Sequence, residues 1–327
     1  MVRGVDVEEE IRTSINGKAA PSRGIFRKLI FLFRPRFCPD AVRMEALAAE
    51  EIRRVVQLAL AEDVGGGDIT TLATVAPNAT AKAVMIAREP LVVAGLAVAE
   101  AVFGELSPAI RISRTANDGD HVTSGQSLLH ISGPAQAMLT GERVALNFIQ
   151  RLSGVATLTR QYVDAVKGTR AQILDTRKTT PGLRQLEKYA VSCGGGHNHR
   201  AGLFDKVLIK DNHLAALQHD PPNPIAAAVR RAREKYPQHT IEVEADTLEQ
   251  VEQAVDAGAD IILLDNMNLV QLRVAVQQAK GRAKTEASGG VNLASVRQIA
   301  ETGVDCISVG ALTHSARASD IALDFEL

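Results

Sequence analysis

Residues able to do chemistry follow or interrupt short apolar runs in the second half of this chain. Five of these runs carry charged, hydroxyl or amide side chains, and a sixth ends in glycine. The runs occupy residues 173–178, 207–211, 241–244, 261–266, 286–290 and 306–310. Short apolar runs that alternate with helical stretches are typical of buried parallel strands, and the carboxyl ends of such strands line a ligand-binding mouth. We therefore expect these polar residues to share one site, and the chain is predicted to be an enzyme.

The loop after the first run combines two cations with three hydroxyl groups. It contains Arg177 and Lys178, flanked by Thr176 and by residues 179–180. Arginine offers a planar fork to a carboxylate or phosphate, whereas lysine offers a point charge. Because buried strand residues come directly before the loop, a polyanionic ligand is a better interpretation than a solvated basic surface.

Lys210, at the end of the second run, admits two kinds of chemistry. A lysine at a barrel strand end can form a Schiff base with a carbonyl substrate. It can instead stay charged and hold an anion. The many cations in the neighbouring loops favour the second interpretation.

A glycine-rich segment, residues 193–200, ends in a dense polar cluster. Cys193, His197 and His199 could supply three metal ligands, but their spacing matches no standard zinc motif. We favour a role for the cluster in holding an acidic substrate, where His199 can donate to a carboxylate and can be cationic near that charge.

Glu244 and Asp265 end consecutive runs, so they are expected to lie side by side at the mouth. Two oxygen donors with few other protein ligands suit Mg²⁺, which keeps waters and commonly binds substrate phosphates as well. The alternatives are an acidic pair bound to nearby lysines or arginines and, ranked last, an acid–base pair. A phosphorylated substrate would favour the metal interpretation.

The last two runs lead into glycine-rich turns before short helices. Such turns present backbone N–H groups to a phosphate, and two of them at consecutive strand ends are more specific than one alone. The turn residues are Ser288, Gly289, Gly290, Val309, Gly310 and Ala311.

The elements that must position these residues predict two α/β domains. Residues 80–133 alternate in the manner of strands, and residues 140–152 read as a helix with Arg143 on its polar face. That face is either solvated or supplies an arginine to an anionic ligand. Six strand-like runs are fewer than the eight of a complete (β/α)₈ barrel, so an incomplete or distorted barrel is expected.

The predicted organisation has four parts. An N-terminal α/β domain, an open sheet with helices, covers residues 44–146, and the incomplete barrel with the active site covers 147–310. A C-terminal helix and tail, 311–327, pack back onto the first domain. Residues 1–43 are basic and aromatic, and they are either a membrane-surface or partner-binding helix or, as we favour, a poorly ordered extension.

The bulk composition excludes several classes of function. With 37 basic and 38 acidic residues, nothing in the overall charge points to nucleic acid or to an anionic membrane. The three cysteines are widely spaced and odd in number, which disfavours a disulfide framework and suits a cytoplasmic setting. No apolar run approaches the roughly 18 residues of a transmembrane helix.

Taken together, these motifs resemble the quinolinate phosphoribosyltransferase family, also known as nicotinate-nucleotide pyrophosphorylase (carboxylating). The resemblance covers about residues 44–327, in order and with matching spacing, and Val144 stands where the family more often has threonine. The motifs that carry it lie at residues 67–71, 141–147, 152–157, 175–184, 194–200, 208–213, 242–244, 264–267 and 287–290.

The resemblance implies an open-faced α/β sandwich followed by an incomplete α/β barrel, in a homodimer. It implies transfer from 5-phosphoribosyl 1-pyrophosphate (PRPP) to the nitrogen of quinolinate, giving nicotinate mononucleotide, pyrophosphate and CO₂ for NAD biosynthesis. Lys178 would meet the pyrophosphate, Glu244 and Asp265 would hold Mg²⁺, and the two glycine turns would cradle phosphate with His314 nearby. Thr176 would be a further substrate-binding residue. The residues that would grip the quinolinate carboxylates are Arg177, His199, Arg200, Lys210 and, from the neighbouring subunit, Arg143.

Three alternatives to this function differ in class. A relative of the same fold with another acceptor is disfavoured by the complete cationic set around Arg177 and Arg200. A non-catalytic, phosphate-binding regulatory protein is disfavoured because ligand binding alone would not need both Glu244 and Asp265. A Schiff-base aldolase acting through Lys210 ranks third.

Overall fold

Two sheets organise residues 46–326, the part of the chain that the computed structural model describes; the predicted extension at 1–43 lies outside it. The helices are α1 Ala49–Val64, α2 Ile69–Thr74, α3 Leu96–Leu106, α4 Ala135–Ala165, α5 Arg184–Cys193, α6 Asp211–Ala215, α7 Pro224–Lys235, α8 Leu248–Asp256, α9 Leu269–Ala279, α10 Val296–Ala300 and α11 Ala311–His314. The strands are β1 Thr80–Ala87, β2 Leu91–Val92, β3 Arg111–Arg114, β4 His121–Val122, β5 Ser127–Pro134, β6 Gln172–Leu174, β7 Val207–Ile209, β8 Ile241–Ala245, β9 Ile261–Asp265, β10 Lys284–Ser288, β11 Cys306–Ser308 and β12 Ile321–Glu326.

The N-terminal sheet is antiparallel, with strand order β12-β1-β5-β3. Along β1 the side chains of Ala83, Met85 and Ala87 are buried, whereas the alternate positions are more accessible. This alternation is what a sheet with one covered and one open face requires. The predicted fold class, a sandwich with an open face joined to a barrel, is confirmed.

The C-terminal segment differs from the helix and tail predicted over residues 311–327. Helix α11 has only four residues, and the chain then extends and adds β12 to the edge of the N-terminal sheet. Strand β12 pairs with β1 from Lys82 opposite Glu326 to Ala87 opposite Ile321. Alternating burial along residues 321–326 favours a strand over a helix in this segment.

Helix α4 is longer than the predicted helix at 140–152, and it spans 31 residues. The predicted domain boundary, between residues 146 and 147, falls inside it. Gly154, near its middle, lies against the C-terminal segment, where a Cβ would overlap the carbonyl oxygen of Arg317. The helix therefore has a close backbone contact with a segment more than 150 residues away in sequence.

The second sheet is parallel, with strand order β6-β11-β10-β9-β8-β7, and it forms the predicted incomplete barrel. Within the described residues no ladder joins β6 to β7. At that seam the segment 197–199 runs beside β6, and the N–H of His197 donates to the carbonyl of Ile173 at 2.8 Å. The glycines before this segment allow it to approach α4, since a Cβ on Gly194 or Gly196 would overlap Thr159.

Side chains along the barrel strands alternate between the apolar layer under the helices and the polar interior of the barrel. On β8, Ile241 and Val243 face the surrounding helices, while Glu242 and Glu244 face inward. The register pairs Glu244 with Leu263 and Asp265 with Ser288, so the strand ends present polar side chains on one side. None of the described helices is both long and apolar enough to cross a bilayer.

Candidate active site

Two guanidinium groups meet where the seam between β6 and β7 opens. Arg177 follows β6 and Arg200 precedes β7. Nη1 of Arg177 is buried, and the guanidinium makes no hydrogen bond or ion pair to any residue between 46 and 326. Burial and then the neighbouring charge of Arg177 lower the pKa of Arg200. Two adjacent cations, one of them with a buried nitrogen that has no partner, favour the binding of an anion.

Lys178 lies on the other side of the same loop, against the turn that follows β11. A Cβ on Gly310 would lie 3.1 Å from Cδ of Lys178 and 3.2 Å from Nε2 of His314, so both side chains pack against this glycine. The Lys178 carbonyl accepts a hydrogen bond from the hydroxyl of Thr313 at 2.8 Å. Among the described residues its ammonium has no partner, so the glycine leaves this cation free to meet a ligand.

The two predicted metal ligands have different surroundings. Glu244 is largely buried and forms an ion pair with Lys210, while Asp265 accepts from the side-chain amide of Asn266 at 2.7 Å. Lys210 is therefore paired with a carboxylate rather than standing free. The predicted ion-pair alternative describes Glu244 in this structure, and Asp265 has no cationic partner among residues 46–326.

The turn after β10 has a backbone that only glycine adopts easily. Gly289 and Gly290 have φ values of 94° and 60°, in the left-handed region. A Cβ on Gly289 would overlap the side chain of Asn266, which itself has a φ of 53°. The N–H groups of both glycines are exposed and donate to no described residue, so they are available to a phosphate.

The turn after β11 has fewer free backbone N–H donors than predicted. The N–H of Val309 donates to the carbonyl of Leu174 at 2.9 Å, so it is occupied by the sheet. Gly310 and Ala311 begin the short helix α11, which places His314 one turn later. Of the residues predicted here, Val309 is the one whose backbone donor is already used.

His199 lies deeper than the cations beside it, with a side chain only 7% exposed. Its Nδ1 accepts the backbone N–H of Arg200 at 2.8 Å, and its Nε2 lies 3.1 Å from a carboxylate oxygen of Glu242. Both ring nitrogens are thus engaged within the protein. The prediction that His199 grips a substrate carboxylate stays a prediction, and its neighbours favour a different role.

Two buried pairs that the motif analysis passed over hold the site loops. Lys188 on α5 donates to Asp175 at 2.6 Å and to the His199 carbonyl at 3.0 Å, and the same Asp175 oxygen accepts the His199 N–H at 2.7 Å. Burial raises the pKa of Asp175 to about 6 despite the charge of Lys188. Asp175 therefore faces outward to α5 and ties the seam segment to β6.

The second pair stabilises the loop that carries Arg177 and Lys178. Glu187, fully buried on α5, accepts from the N–H of Thr180 at 3.0 Å and from its hydroxyl at 2.8 Å. Arg151 of α4 pairs with the same carboxylate at 2.8 Å. Arg151, which shares the predicted polar face of Arg143, is thus a structural residue.

A third polar group fills the barrel interior below the mouth. It consists of Lys206, Glu242 and Glu286 around the ring of His199. Lys206 donates to Glu242 at 3.0 Å, and Glu286 approaches Nε2 of His199 at 3.5 Å. Neither carboxyl oxygen of Glu286 has a hydrogen-bond partner among the described residues. Counting back two residues from Glu244 and from Ser288 along their strands would have found both carboxyls.

Arg143 borders a different cleft, and the alternative metal ligands do not come together. Arg143 is exposed and borders a cleft with Gly67, Asp68 and Thr140, which none of the barrel-mouth residues lines. Cys193 is buried near Tyr189, and burial raises the pKa of its thiol to about 12. The metal alternative for Cys193, His197 and His199 finds no support, because these side chains form no cluster in the part of the chain described.

Comparison with known proteins agrees with the motifs. A model of the quinolinate phosphoribosyl transferase N-terminal domain matches residues 68–153, and one of the C-terminal domain matches residues 155–324. The chain belongs to the quinolinate phosphoribosyltransferase family. The C-terminal match contains every barrel-mouth residue described above, and the N-terminal match contains Arg143.

Members of this family in other organisms are similar along most of the chain. The nicotinate-nucleotide pyrophosphorylase [carboxylating] of Mycobacterium leprae is 46% identical over 278 residues, covering 83% of this chain and 96% of the relative. A protein of Bacillus subtilis with the same name, given as probable, is 41% identical, covering 85% and 94%. The solved structure of the Francisella tularensis nicotinate-nucleotide pyrophosphorylase has a TM-score of 0.82 at 39% identity, covering 87% of this chain and 99% of that one.

Proposed function

We propose that this protein transfers the phosphoribosyl group of PRPP to the nitrogen of quinolinate, with loss of CO₂. The products are nicotinate mononucleotide and pyrophosphate. The names of the similar proteins support this reaction, since several are called nicotinate-nucleotide pyrophosphorylase [carboxylating] or quinolinate phosphoribosyltransferase [decarboxylating]. A cytoplasmic setting remains a prediction from cysteine usage.

The observation that carries the proposal is the unpartnered, buried Nη1 of Arg177 beside Arg200. A buried cation without a partner is costly, and a second cation next to it increases the cost. A dicarboxylate would offset both charges through bidentate hydrogen bonds. Quinolinate carries two adjacent carboxylates on a flat ring, which matches a pair of planar guanidinium groups.

We assign the remaining substrate contacts by position. Arg177, Arg200 and Lys210 would bind the carboxylates, with Thr176 at the edge of the same loop. Lys178 would meet the pyrophosphate of PRPP, with His314 on the far side of Gly310. The exposed N–H groups of residues 289–290 and the turn at 310–311 would bind phosphate oxygens.

Glu244 and Asp265 fit a Mg²⁺ site by their donor chemistry. Both are hard oxygen donors at the carboxyl ends of neighbouring strands, and both are partly accessible from the mouth. Mg²⁺ commonly combines one or two carboxylates with waters and substrate phosphates. When bound, it would neutralise charge on pyrophosphate. The ammonium of Lys210 and the metal ion would be alternative partners for Glu244.

The side chains of the protein contribute position and charge to this reaction rather than a nucleophile. Departure of pyrophosphate builds negative charge that Lys178 stabilises, while positive charge develops at the ribose carbon facing the ring nitrogen. No side-chain nucleophile is needed, because holding the two substrates in line supplies most of the catalysis. Ribosylation then makes the ring an electron sink, the carboxylate next to the nitrogen leaves as CO₂, and the ring carbon that keeps the electron pair takes up a proton from solvent.

We also propose that the active protein is a homodimer in which Arg143 reaches the partner's site. Arg143 is exposed and has no partner among residues 46–326. Ile69, which borders the same cleft, is 82% exposed, and Leu72 on the same short helix is 63% exposed. Apolar side chains exposed around an unpaired cation are typical of a surface that a partner covers.

The test is a reaction with purified protein, quinolinate, PRPP and Mg²⁺, in which nicotinate mononucleotide and CO₂ are followed together. We expect both products from quinolinate, in equal amounts, and loss of both on chelation of the metal. Nicotinate serves as the matched control acceptor, because it lacks one carboxylate and leaves a guanidinium unpaired. A folded protein that binds PRPP but does not consume quinolinate would contradict the proposal and favour another acceptor.

A further inference from the structure

The ring of His199 lies between the barrel interior and the main chain of the substrate loop. Its Nδ1 accepts the N–H of Arg200 at 2.8 Å. Its Nε2 lies 3.1 Å from Glu242 and 3.5 Å from Glu286. The main chain of His199 is held separately, by Asp175 and Lys188. The ring is thus the connection between two buried carboxyls and the backbone of Arg200.

These contacts select one protonation state of the ring. A backbone N–H only donates, so Nδ1 must carry a lone pair to accept from Arg200. The proton of a neutral ring is then on Nε2, where Glu242 can accept it. A cationic ring or the opposite tautomer would place a second N–H on Nδ1, against that of Arg200. The hydrogen-bond network therefore assigns a neutral ring with the proton on Nε2.

The buried carboxyl of Glu286 completes this arrangement. It is 1% exposed, and within residues 46–326 both of its oxygens lack a hydrogen-bond partner. Burial, and then the negative charge of Glu242, raise its pKa well above the usual range. A protonated Glu286 leaves one negative charge, on Glu242, to balance the one positive charge of Lys206.

The same group has the spacing of a metal site, with ligand atoms of His199, Glu242 and Glu286 within 4.8 Å of one another. Two observations disfavour a metal ion there. The ammonium of Lys206 lies 3.0 Å from Glu242 and 3.4 Å from Nε2 of His199, so it already supplies a cation. A metal ion on Nε2 would also displace the proton that the Arg200 contact requires.

We propose that Glu242 is a positioning residue for substrate binding. It holds the Nε2–H of His199, which leaves Nδ1 to accept the main-chain N–H of Arg200 and so fixes Arg200 beside Arg177. This inference rests on the proposed function, because it takes Arg200 to bind a carboxylate of quinolinate. His199 then acts through Arg200 rather than by contact with the substrate.

Lys206 makes the proposal sensitive to the charge on Glu242. In a Glu242→Gln variant the ammonium loses its counter-charge and stands 3.4 Å from Nε2. It would donate to Nε2, which moves the ring proton to Nδ1 and expels the N–H of Arg200. We expect the KM for quinolinate to rise about tenfold or more, since small displacements of a binding group have large effects. The KM for PRPP should change little.

The direct test is the tautomer itself, measured by ¹⁵N NMR of protein labelled on histidine nitrogens. His199 is assigned by the signals that disappear in His199→Asn or His199→Gln, either of which suffices. The expected result in the substrate-free protein is an unprotonated Nδ1 and a protonated Nε2, with a shift toward protonated Nδ1 in Glu242→Gln. A cationic ring or the opposite tautomer in the natural protein would overturn the inference.

The kinetic test uses two variants of His199, each of which retains a polar atom near one of the two ring nitrogens. Asparagine places an acceptor near the position of Nδ1, whereas glutamine reaches the position of Nε2. Positioning through Arg200 predicts a smaller rise in the quinolinate KM for His199→Asn than for His199→Gln. Direct contact between Nε2 and the substrate predicts the reverse, and that order would overturn the inference.

Cys306→Ala is the matched control, because Cys306 pairs with Glu286 between β10 and β11 and has no hydrogen bond to the His199 ring within residues 46–326. It should leave both KM values unchanged. The tautomer measurement needs no turnover, so it tests this inference separately from the proposed function. Failure of the natural protein to consume quinolinate contradicts the proposed function, whereas normal turnover with the wrong tautomer contradicts only this inference.

Discussion

At the scale of single residues, the site depends on which charges have partners and which do not. Lys188 and Asp175 are paired and buried, and they hold the main chain at His199. Lys178 and Arg177, on the neighbouring loop, have no partner within the described part of the chain. Paired buried charges maintain the structure, while unpaired ones are held ready for an anion, so substitutions in the two groups should affect different properties.

Lys178→Ala should reduce turnover with little effect on quinolinate binding. The Lys178 side chain packs beside Gly310, on the pyrophosphate side of the proposed site, and losing an electrostatic contact to the leaving group commonly costs about 100-fold or more in kcat. Steady-state kinetics and calorimetric titration with quinolinate measure the two effects. Wild-type turnover in this variant would remove Lys178 from the mechanism.

Lys188→Met should destabilise the fold rather than alter the chemistry. Removal of one partner of a buried ion pair costs about 3–5 kcal/mol in the free energy of unfolding. Burial already raises the pKa of Asp175 to about 6, and loss of Lys188 raises it further. A carboxyl with a raised folded-state pKa keeps its proton on folding, so its stabilising contribution is lost as the pH rises through that pKa.

The loss of stability in Lys188→Met should therefore be larger at pH 8 than at pH 5. Denaturant titration at the two pH values measures it. Glu89→Gln is a suitable comparison, because this exposed ion pair with Arg317 should contribute little to stability. An equal loss in Lys188→Met at both pH values would mean that the substitution leaves the pKa of Asp175 unchanged.

At the scale of elements, the site depends on the close approach of backbones. Helix α4 passes the C-terminal segment at Gly154 and the seam segment at Gly194 and Gly196. Those contacts fix the position of residues 197–200 relative to the barrel strands. Arg151 of the same helix holds α5 through Glu187, so α4 supports both loops that carry the substrate-binding arginines.

Gly154→Ala should weaken this support. The new Cβ would overlap the carbonyl of Arg317, and overpacking of this kind typically costs about 1–3 kcal/mol. Gly104→Ala in α3 is the matched control, since nothing lies within 4 Å of its Cβ position and alanine favours a helix by about 1 kcal/mol. Thermal unfolding should show opposite shifts for the two variants. A stabilised Gly154→Ala would mean that the segment at 317 moves aside freely.

At the scale of the whole molecule, the two domains contribute different residues to the proposed reaction. The barrel supplies the mouth, whereas Arg143 lies on the N-terminal half of α4 beside α2, away from the mouth residues of its own chain. The C-terminal strand β12 returns to the N-terminal sheet, so the ends of the described chain are both held on that side. The homodimer proposed above would bring this arginine to the site of a second copy of the chain.

Mixing Arg143→Ala with Lys178→Ala should restore activity that neither variant has alone. In a heterodimer with a shared site, one of the two sites receives both intact residues, so random exchange of subunits should recover about a quarter of wild-type activity. Arg177→Ala mixed with Lys178→Ala is the control, because both residues belong to one barrel and no intact site forms. No recovery in the first mixture would argue against a shared site.

Much of this protein could be predicted without coordinates. The apolar runs and their polar ends follow from the two-residue period of strands, so they indicate a parallel barrel and the residues at its mouth. The contacts of His199, Glu187 and Glu286 could not be predicted in this way, because their partners come from strands and helices that are distant in sequence. Which nitrogen of a ring faces a carboxylate, and which cation is left unpaired, depends on the curvature of the sheet and the path of α4. Those are properties of packing, and local sequence patterns do not encode them.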